Sequence, residues 1–270
     1  MPQSTFMTSP LHAALPPAPD GAGFPDAEFF DAAYTIRTGD VDNANRLRLD
    51  GIARYLQDVG NDNLVAVDAI TSHPYWIVRR TVVDVETPNS GTEKLTLRRW
   101  CSGFSTRWSQ MRVSITGDRG ARIETSGFWI NISGETGMPT RISDDFLARF
   151  ARATDDSRLR WSRWLDEPLP AADDPGVRDL PFTLRHTDID PFDHVNNAVH
   201  WQAVEEAIAQ SDAGLVDGPY RAVVEYLAPI ARTDEIALRT RHSGDTLTVW
   251  FRSGDAVKAV AHVSARPAHR

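Results

Sequence analysis

The arrangement of apolar and polar residues predicts two units of the same kind in this chain. In each half, one segment with helical spacing of apolar residues, or rich in helix formers, precedes several runs of β-branched and aromatic residues. Short links between these runs, such as TGDRGA and RSGDAV, require antiparallel neighbours. The predicted helices are LRLDGIARYLQDVGNDNLVAV and NNAVHWQAVEEAIAQ, and the predicted strands are YWIVRRTVVDVE, EKLTLRRWCSGF, WSQMRVSIT and ARIETSGFWINI in the first half and YRAVVEYL, EIALRTRH, TLTVWFRS and VKAVAHVSA in the second.

A short internal repeat supports the division into two units. TIRTGDVDNANRLRL at residues 35–49 aligns with TLRHTDIDPFDHVNN at residues 183–197, an offset of 148 residues. Both stretches run into a predicted helix and then into strands, so a β-α-β-β-β-β unit is predicted twice. The copies differ where the second carries His194 and the first carries Arg46. The identical pairs are Thr35 and Thr183, Arg37 and Arg185, Asp40 and Asp188, and Asp42 and Asp190.

Composition divides the chain into four parts. Residues 1–28 are rich in Pro, Ala and Gly, lack the basic and apolar regions of a secretory signal, and are predicted to form a flexible tail. The stretch DEPLPAADDPGVRD combines prolines with acidic residues, as linkers do. We therefore predict a first unit over 29–152, a linker over 153–179 and a second unit over 180–270.

Charge and residue content argue against several functional classes. The formal net charge is -8, with 37 acidic and 29 basic residues and no dense basic stripe, which opposes a nucleic-acid partner. No stretch of about 18 apolar residues predicts a membrane span. Cys101 is the only cysteine, which excludes an intramolecular disulfide and a cysteine metal site. A reducing, cytoplasmic location is therefore the simpler expectation.

One motif points to a known family. The segment IDPFDHVNNAVHW resembles the active-site segment of hotdog thioesterases, in which an Asp, three intervening residues and HVNN lead into the central helix. The order of elements from Tyr34 to Ala265 is similar to that of the acyl-ACP thioesterase family, whose plant and bacterial members share it. The resemblance implies an α+β double hotdog, with two tandem units that each wrap an antiparallel sheet on one long central helix. In that family the first hotdog shapes the acyl pocket and the second carries the catalytic residues.

The resemblance also implies an activity and partners. The expected reaction is hydrolysis of fatty acyl thioesters, on acyl carrier protein or coenzyme A, to free fatty acid and carrier thiol. This activity belongs to lipid metabolism and fatty acid biosynthesis. It needs no cofactor and no metal, and it fits a homodimer of double hotdogs.

Two residues of the motif are the candidates for catalysis. Asp190 is expected to activate the attacking water or, as a second route, to attack the thioester directly. His194 is expected to orient that water or to protonate the leaving thiolate. Free amides at the start of the second helix, over 194–197, are expected to stabilise the oxyanion. The expected substrate-binding residues are Phe192, Asn196, Asn197, Trp76 and Phe128.

Structural interpretations remain open beside these roles. Asp190 and Asp193 precede a helix, where Asp is a favoured cap, and His194 has an alternative as a hydrogen-bonded structural residue. Asn196 and Asn197 are also expected to fix the helix start. Structural roles are expected for the remaining candidates: His186, His200, a buried Cys101 thiol, and Glu205 and Glu206 on a solvated helix face, although some hotdog thioesterases place a catalytic Glu there.

The chain departs from the family pattern at three positions. Plant members have Asn where this chain has Phe192, and a Glu-Cys pair where it has Pro229 and Ile230. Phe192 is expected to wall the site and lower its water content, or else to be the relic of a lost catalytic group. Two alternatives follow: a site that works with Asp190, His194 and helix amides alone, or weakened or lost activity.

Two other functions are possible for this fold. A non-catalytic acyl-binding or sensing hotdog is the alternative from another class, and a double-hotdog enoyl hydratase fits the motif less well.

In the first copy, Arg46 stays charged and cannot shuttle a proton near neutral pH. We therefore expect Asp42 and Arg46 to form a structural or surface charge pair.

Overall fold

The computed structural model describes residues 10–16, 18, 28–211 and 214–267, and it contains the repeated unit that the sequence predicts. Each half has one strand, one long helix and then four strands, with a short extra helix between the halves. The elements are β1 (Phe30–Thr35), α1 (Leu49–Ala66), β2 (Trp76–Thr87), β3 (Lys94–Phe104), β4 (Trp108–Gly117), β5 (Arg122–Asn131), α2 (Asp144–Phe150), β6 (Val177–Phe182), α3 (Asn197–Ala209), β7 (Tyr220–Tyr226), β8 (Ile236–Ser243), β9 (Thr246–Ser253) and β10 (Ala256–Ala265).

All ten strands form one antiparallel sheet in the order β1-β3-β4-β5-β2-β7-β10-β9-β8-β6. The two halves join where β2 pairs with β7, from Arg80 opposite Glu225 to Val85 opposite Tyr220. Tight links connect the later strands, and Gly244 supplies the positive φ of 59° that one of these turns requires. The hairpins predicted from the short links are therefore confirmed.

The two long helices lie side by side on the inner face of the sheet. Helix α1 contacts α3, and both pack into one apolar core with the inward residues of the strands. Helix α1 begins at Leu49 and α3 begins at Asn197, the offset of the sequence repeat. Each half is thus a long helix against five strands, which is the expected α+β double-hotdog arrangement.

The predicted linker is held against the outer face of the sheet. Glu225 on β7 is fully buried, and its carboxylate accepts hydrogen bonds from the backbone N–H groups of Trp164, at 2.9 Å, and Leu165, at 3.2 Å. The same carboxylate pairs with Arg80 at 3.0 Å, and the Arg80 guanidinium lies 3.7 Å from the centre of the Trp164 ring. Strand β6 already begins at Val177, so the linker ends at residue 176, three residues earlier than predicted.

Part of the predicted flexible tail is also anchored on the outer face. Arg221 donates to the carbonyl oxygens of Leu11, at 2.8 Å, and Ala13, at 2.7 Å. Arg112 donates to the carbonyl oxygen of Pro16 at 2.5 Å. The expectation of a flexible tail is therefore corrected for residues 10–16. Apart from residues 18 and 28, the rest of the 1–28 prediction lies outside the described residues.

Candidate active site

The motif residues before α3 form a loop that Asp190 closes. Its backbone N–H donates to the carbonyl oxygen of His194 at 2.8 Å. Its Oδ1 accepts from the backbone N–H groups of Phe192, at 2.9 Å, and His194, at 3.2 Å. This side-chain turn explains why Asp suits the position in purely structural terms. The second oxygen, Oδ2, has no hydrogen-bond partner within the described part of the chain, and Asp190 is only half-buried. One carboxylate oxygen is therefore free to bind water.

The loop that follows β7 lies directly against this segment. Val195 donates its N–H to the carbonyl oxygen of Ile230 at 2.8 Å, and His194 bridges to Ala231. Pro229 and Ile230, which stand where plant members have Glu and Cys, are therefore adjacent to the site. Ile230 is buried in the core and brings no polar group to it. The backbone of this loop is therefore hydrogen-bonded to the motif segment, but Pro229 and Ile230 bring no ionisable side chain to the site.

Helix α3 begins at the site with one free amide. The expected donors over 194–197 are mostly used: His194 N–H by Asp190, Val195 N–H by Ile230, and Asn196 N–H by the carbonyl oxygen of Asp188. The N–H of Asn197, the first helical residue, has no acceptor among the residues that are described. The expected set of oxyanion donors is therefore corrected to this one backbone N–H, at the positive end of the helix.

Asn196 is the cap of α3, as its structural interpretation predicts. Its Oδ1 accepts from the N–H of Ala198 at 2.9 Å and from Nε2 of Gln57 on α1 at 3.0 Å. Asp193, expected as a cap, pairs instead with Arg232 at the surface at 2.8 Å. Sequence reasoning missed Gln57, although the 148-residue offset of the repeat places it opposite Glu205.

In the first copy, Asp42 forms the same side-chain turn, but a positively charged side chain occupies its second oxygen. Asp42 Oδ1 accepts from the N–H groups of Ala44, at 2.9 Å, and Arg46, at 2.8 Å. Its Oδ2, the equivalent of the free oxygen of Asp190, is taken by Nε of Arg46 at 2.9 Å. The expected charge pair between Asp42 and Arg46 is therefore confirmed.

Glu205 of α3 completes this occupied site, which corrects its expected place on a solvated helix face. Its side chain is 12% exposed, and it binds Arg46 at 2.6 Å. Its Oε1 also accepts from the N–H of Leu49 at 2.6 Å, and Leu49 is the first-copy equivalent of Asn197. Burial by itself would lower the pKa of Arg46, but the hydrogen bond and charge of Glu205 outweigh it and raise that pKa. Glu206 is exposed, as expected.

A cavity of about 40 Å³ lies between the two helices and the sheet. Its volume corresponds to about three water molecules. The first half supplies most of its walls, as expected for an acyl pocket, and Gln57 and Asn197 form part of the lining nearest the start of α3. The lining residues are Ala53, Leu56, Gln57, Val78, Thr81, Arg99, Met111, Val113, Thr125, Gly127, Trp129, Asn197, Trp201 and Tyr226.

Two expected lining residues lie elsewhere. Phe128 packs against Trp161 of the linker, with ring centres 5.0 Å apart, on the face of β5 opposite to the cavity. Its neighbours Gly127 and Trp129 line the cavity instead, because successive strand residues point to opposite faces. Trp76 packs in a separate cluster against Phe146 of α2. Both assignments are corrected.

Phe192 does not enclose the site. Its side chain is 52% exposed, and its ring stands edge-on to Tyr75 with centres 5.6 Å apart. A ring with half its surface in solvent cannot keep water from Asp190, so the expected wall is corrected. What Phe192 does supply is its backbone N–H, which donates to Asp190.

Replacement of Phe192 by the Asn of plant members is expected to change turnover by no more than about threefold, because exposed side chains away from packed contacts contribute little. The backbone N–H that binds Asp190 is retained in this variant. Steady-state release of thiol by wild type and Phe192→Asn checks this. A tenfold loss would restore the water-excluding role of the ring.

Cys101 and the remaining histidines of the sequence analysis differ in burial and in contacts. His200 is buried between the rings of Tyr226 and Phe251, and desolvation lowers its pKa to about 4. Burial raises the pKa of the Cys101 thiol to about 12, and the thiol donates to the carbonyl oxygen of Gly103. His186 lies exposed in a short 3₁₀ turn. The side chain of His194 is exposed and forms no hydrogen bond to the residues that the structure describes.

Within residues 10–16, 18, 28–211 and 214–267, no group of three or more His, Cys, Asp or Glu residues is arranged to hold a metal ion. None of the helices in these ranges is both long and apolar enough to cross a membrane.

Comparisons with known proteins agree with this architecture. Residues 27–150 match the acyl-ACP thioesterase N-terminal domain, and residues 173–262 match the C-terminal domain. An uncharacterized protein of Mycobacterium tuberculosis is 42% identical over 232 residues, or 86% of this chain and 90% of that protein. The 12:0-ACP thioesterase from Umbellularia californica has a TM-score of 0.70 at 16% identity, covering 88% of this chain and 97% of its own. An acyl-ACP thioesterase from Bacteroides thetaiotaomicron has a TM-score of 0.67 at 13% identity, covering 87% and 97%.

The sheet order, the paired helices and these structural neighbours define a double-hotdog protein. The chain belongs to the acyl-ACP thioesterase family, since both family domains match in order along most of its length. Membership in this family indicates thioesterase activity in general terms.

Proposed function

We propose that this protein hydrolyses fatty acyl thioesters, carried on acyl carrier protein or coenzyme A, to free fatty acid and carrier thiol. One contrast supports the proposal most. At the second-half site, Asp190 Oδ2 and the N–H of Asn197 are free in the described structure, whereas both equivalents in the first half are filled, by Arg46 and by Glu205. Hydrolysis requires free polar groups beside a cavity that can take the substrate. Polar groups that are already paired with each other stabilise the fold instead.

The chemistry assigns a role to each open group. The free oxygen of Asp190 takes a proton from a bound water molecule, which attacks the thioester carbonyl. The N–H of Asn197, aided by the dipole of α3, stabilises the oxyanion that forms. His194, which solvent reaches, protonates the leaving thiolate. The acyl chain enters the cavity beside Asn197, and its lining side chains must move apart because 40 Å³ does not hold a fatty chain.

Two alternatives use the same geometry. Asp190 can attack the carbonyl directly and form an anhydride that water then hydrolyses. Alternatively, Phe192, Pro229 and Ile230 mark a site that binds acyl thioesters without cleaving them, since they stand where plant relatives carry Asn, Glu and Cys. Thiol release separates these two alternatives, because direct attack expels the carrier thiolate as the anhydride forms, whereas binding alone releases none.

A substrate panel tests the proposal. Acyl-CoA and acyl-ACP thioesters of several chain lengths are incubated with the full chain, and free thiol is measured together with binding. We expect thiol release above the buffer rate for at least one carrier. Binding across the panel without thiol release would instead establish the acyl-binding alternative.

The cavity makes a prediction about chain length. Val113 on β4 is buried and lines the cavity, so Val113→Phe fills space that the acyl chain needs. We expect the preferred chain to shorten by several carbons, with a loss of stability of about 1–3 kcal/mol from overpacking. The panel of chain lengths measures the shift.

Phe128 provides the matched control for this prediction. Because Phe128 faces the linker and not the cavity, Phe128→Leu should leave chain preference unchanged. An equal shift in both variants, or no shift with Val113→Phe, would contradict the position of the acyl chain.

A further inference from the structure

One residue of the cavity wall does not fit an apolar acyl pocket. Strand β3 points Leu95 and Leu97 into the core, and the next inward position is Arg99. Arg99 pairs across the sheet with Val113, and both line the cavity together with Met111. The sequence thus places a cation where the strand pattern calls for a third apolar residue.

Among the described residues, Arg99 has no acidic partner, unlike the buried arginines outside the cavity. Its guanidinium donates to Oδ1 of Asn63 on α1, and no carboxylate within the described ranges forms an ion pair with it. Burial lowers the pKa of Arg99 to about 10, which still leaves it charged at neutral pH. By contrast, buried arginines outside the cavity are paired: Arg80 with Glu225, Arg112 with Glu124, and Arg221 with Asp84.

The spacing of Gln57 and Asn63 along α1 gives an estimate of the distance between this cation and the proposed reaction site. Gln57 lies beside the start of α3, and Asn63, which holds Arg99, lies six residues further along α1. Six residues of α-helix span about 9 Å. An extended chain advances about 1.2 Å per bond, so seven or eight bonds cover this distance. The cation therefore lies at the distal end of an acyl group of about eight carbons.

We propose that Arg99 is a specificity residue that binds a carboxylate at the distal end of the acyl group. The substrates would then include monothioesters of dicarboxylic acids of medium length. A guanidinium has five N–H donors in a planar fork, and Asn63 engages only part of it. A carboxylate matches that fork in two parallel hydrogen bonds and supplies the charge that the cavity lacks.

The proposal rests on the proposed function for its reaction but not for its binding step. We therefore combine turnover with binding of the free acids. For turnover, kcat/KM is measured with octanoyl-CoA and with the CoA monothioester of octanedioic acid. For binding, octanoic and octanedioic acids are titrated into the protein by calorimetry. Wild type is compared with Arg99→Met, which is uncharged, and Arg99→Lys, which keeps charge without the fork.

Arg98 is the matched control. It is the next residue on β3, points outward, and pairs with Asp31 at the surface at 2.8 Å, with side chains 51% and 47% exposed. Arg98→Met therefore removes an equal charge from the same strand without touching the cavity. Circular dichroism verifies folding of every variant.

We expect wild type to favour the octanedioyl thioester by about tenfold or more. Arg99→Met should lose this preference, Arg99→Lys should retain part of it, and Arg98→Met should behave as wild type. If neither thioester is hydrolysed, the proposed function fails, and tighter binding of octanedioic acid that Arg99→Met abolishes still supports the role of Arg99. Equal kcat/KM for both thioesters in wild type, an unchanged preference in Arg99→Met, or binding of octanedioic acid that Arg99→Met leaves unchanged would overturn it.

Discussion

Asp190→Asn should lower turnover by at least about a hundredfold, the low end of the usual contribution of a general base. The amide oxygen of Asn can still accept the hydrogen bonds from the N–H groups of Phe192 and His194, so the loop should keep its conformation. What the variant loses is the anionic second oxygen. Thiol release measures the effect, and circular dichroism with urea unfolding verifies the fold.

The first copy offers a control of the same chemistry. Asp42→Asn also keeps its side-chain turn, which accepts from Ala44 and Arg46, and it weakens an ion pair of the filled site. We expect its turnover to remain within about threefold of wild type. A loss of activity in Asp42→Asn equal to that in Asp190→Asn would show that both halves take part in catalysis and would contradict the division of labour between them.

The largest stability effect is expected at Glu225. Glu225→Ala leaves Arg80 buried without its partner and removes the acceptor of the Trp164 and Leu165 N–H groups. Breaking a buried pair on one side costs about 3–5 kcal/mol because an uncompensated charge remains. Urea denaturation of both proteins measures the change in free energy of unfolding.

Two comparisons sharpen this experiment. Asp31→Ala breaks the exposed pair with Arg98 and should cost no more than about 1 kcal/mol. The double variant Arg80→Met, Glu225→Met removes both charges and should recover part of the loss. A cost for Glu225→Ala no greater than that for Asp31→Ala would mean that the linker is not fastened through this carboxylate.

The sequence predicted the elements and their order well because both depend on local patterns. Helical spacing located the two long helices, and the start of α3 follows a motif that Asn196 caps as predicted. The 148-residue offset between Leu49 and Asn197 survives in the structure because equivalent loops lead into both helices. The antiparallel pairing of β4 with β5 and of β9 with β10 follows from the short links between these strands.

Strand faces and long-range contacts were harder to predict. GFWI is a continuous apolar run, so no alternation shows which of Gly127, Phe128 and Trp129 points inward. In the structure, Phe128 faces the outer side of the sheet, where its ring packs against Trp161 of the linker. Glu205 binds a residue 159 positions earlier, a contact that no local pattern contains. The repeat does indicate that these positions correspond, because its 148-residue offset aligns Gln57 with Glu205.

The central claim is that the second-half site turns over acyl thioesters, and counting products tests it most directly. The full chain is mixed with a large excess of an acyl thioester that it binds, and thiol and free fatty acid are quantified per protein molecule over time. We expect wild type to release many molecules of thiol per protein molecule, matched one to one by fatty acid. With Asp190→Asn, we expect thiol release near the buffer rate. Saturable binding with no thiol release above buffer would contradict the account and identify an acyl-binding protein instead.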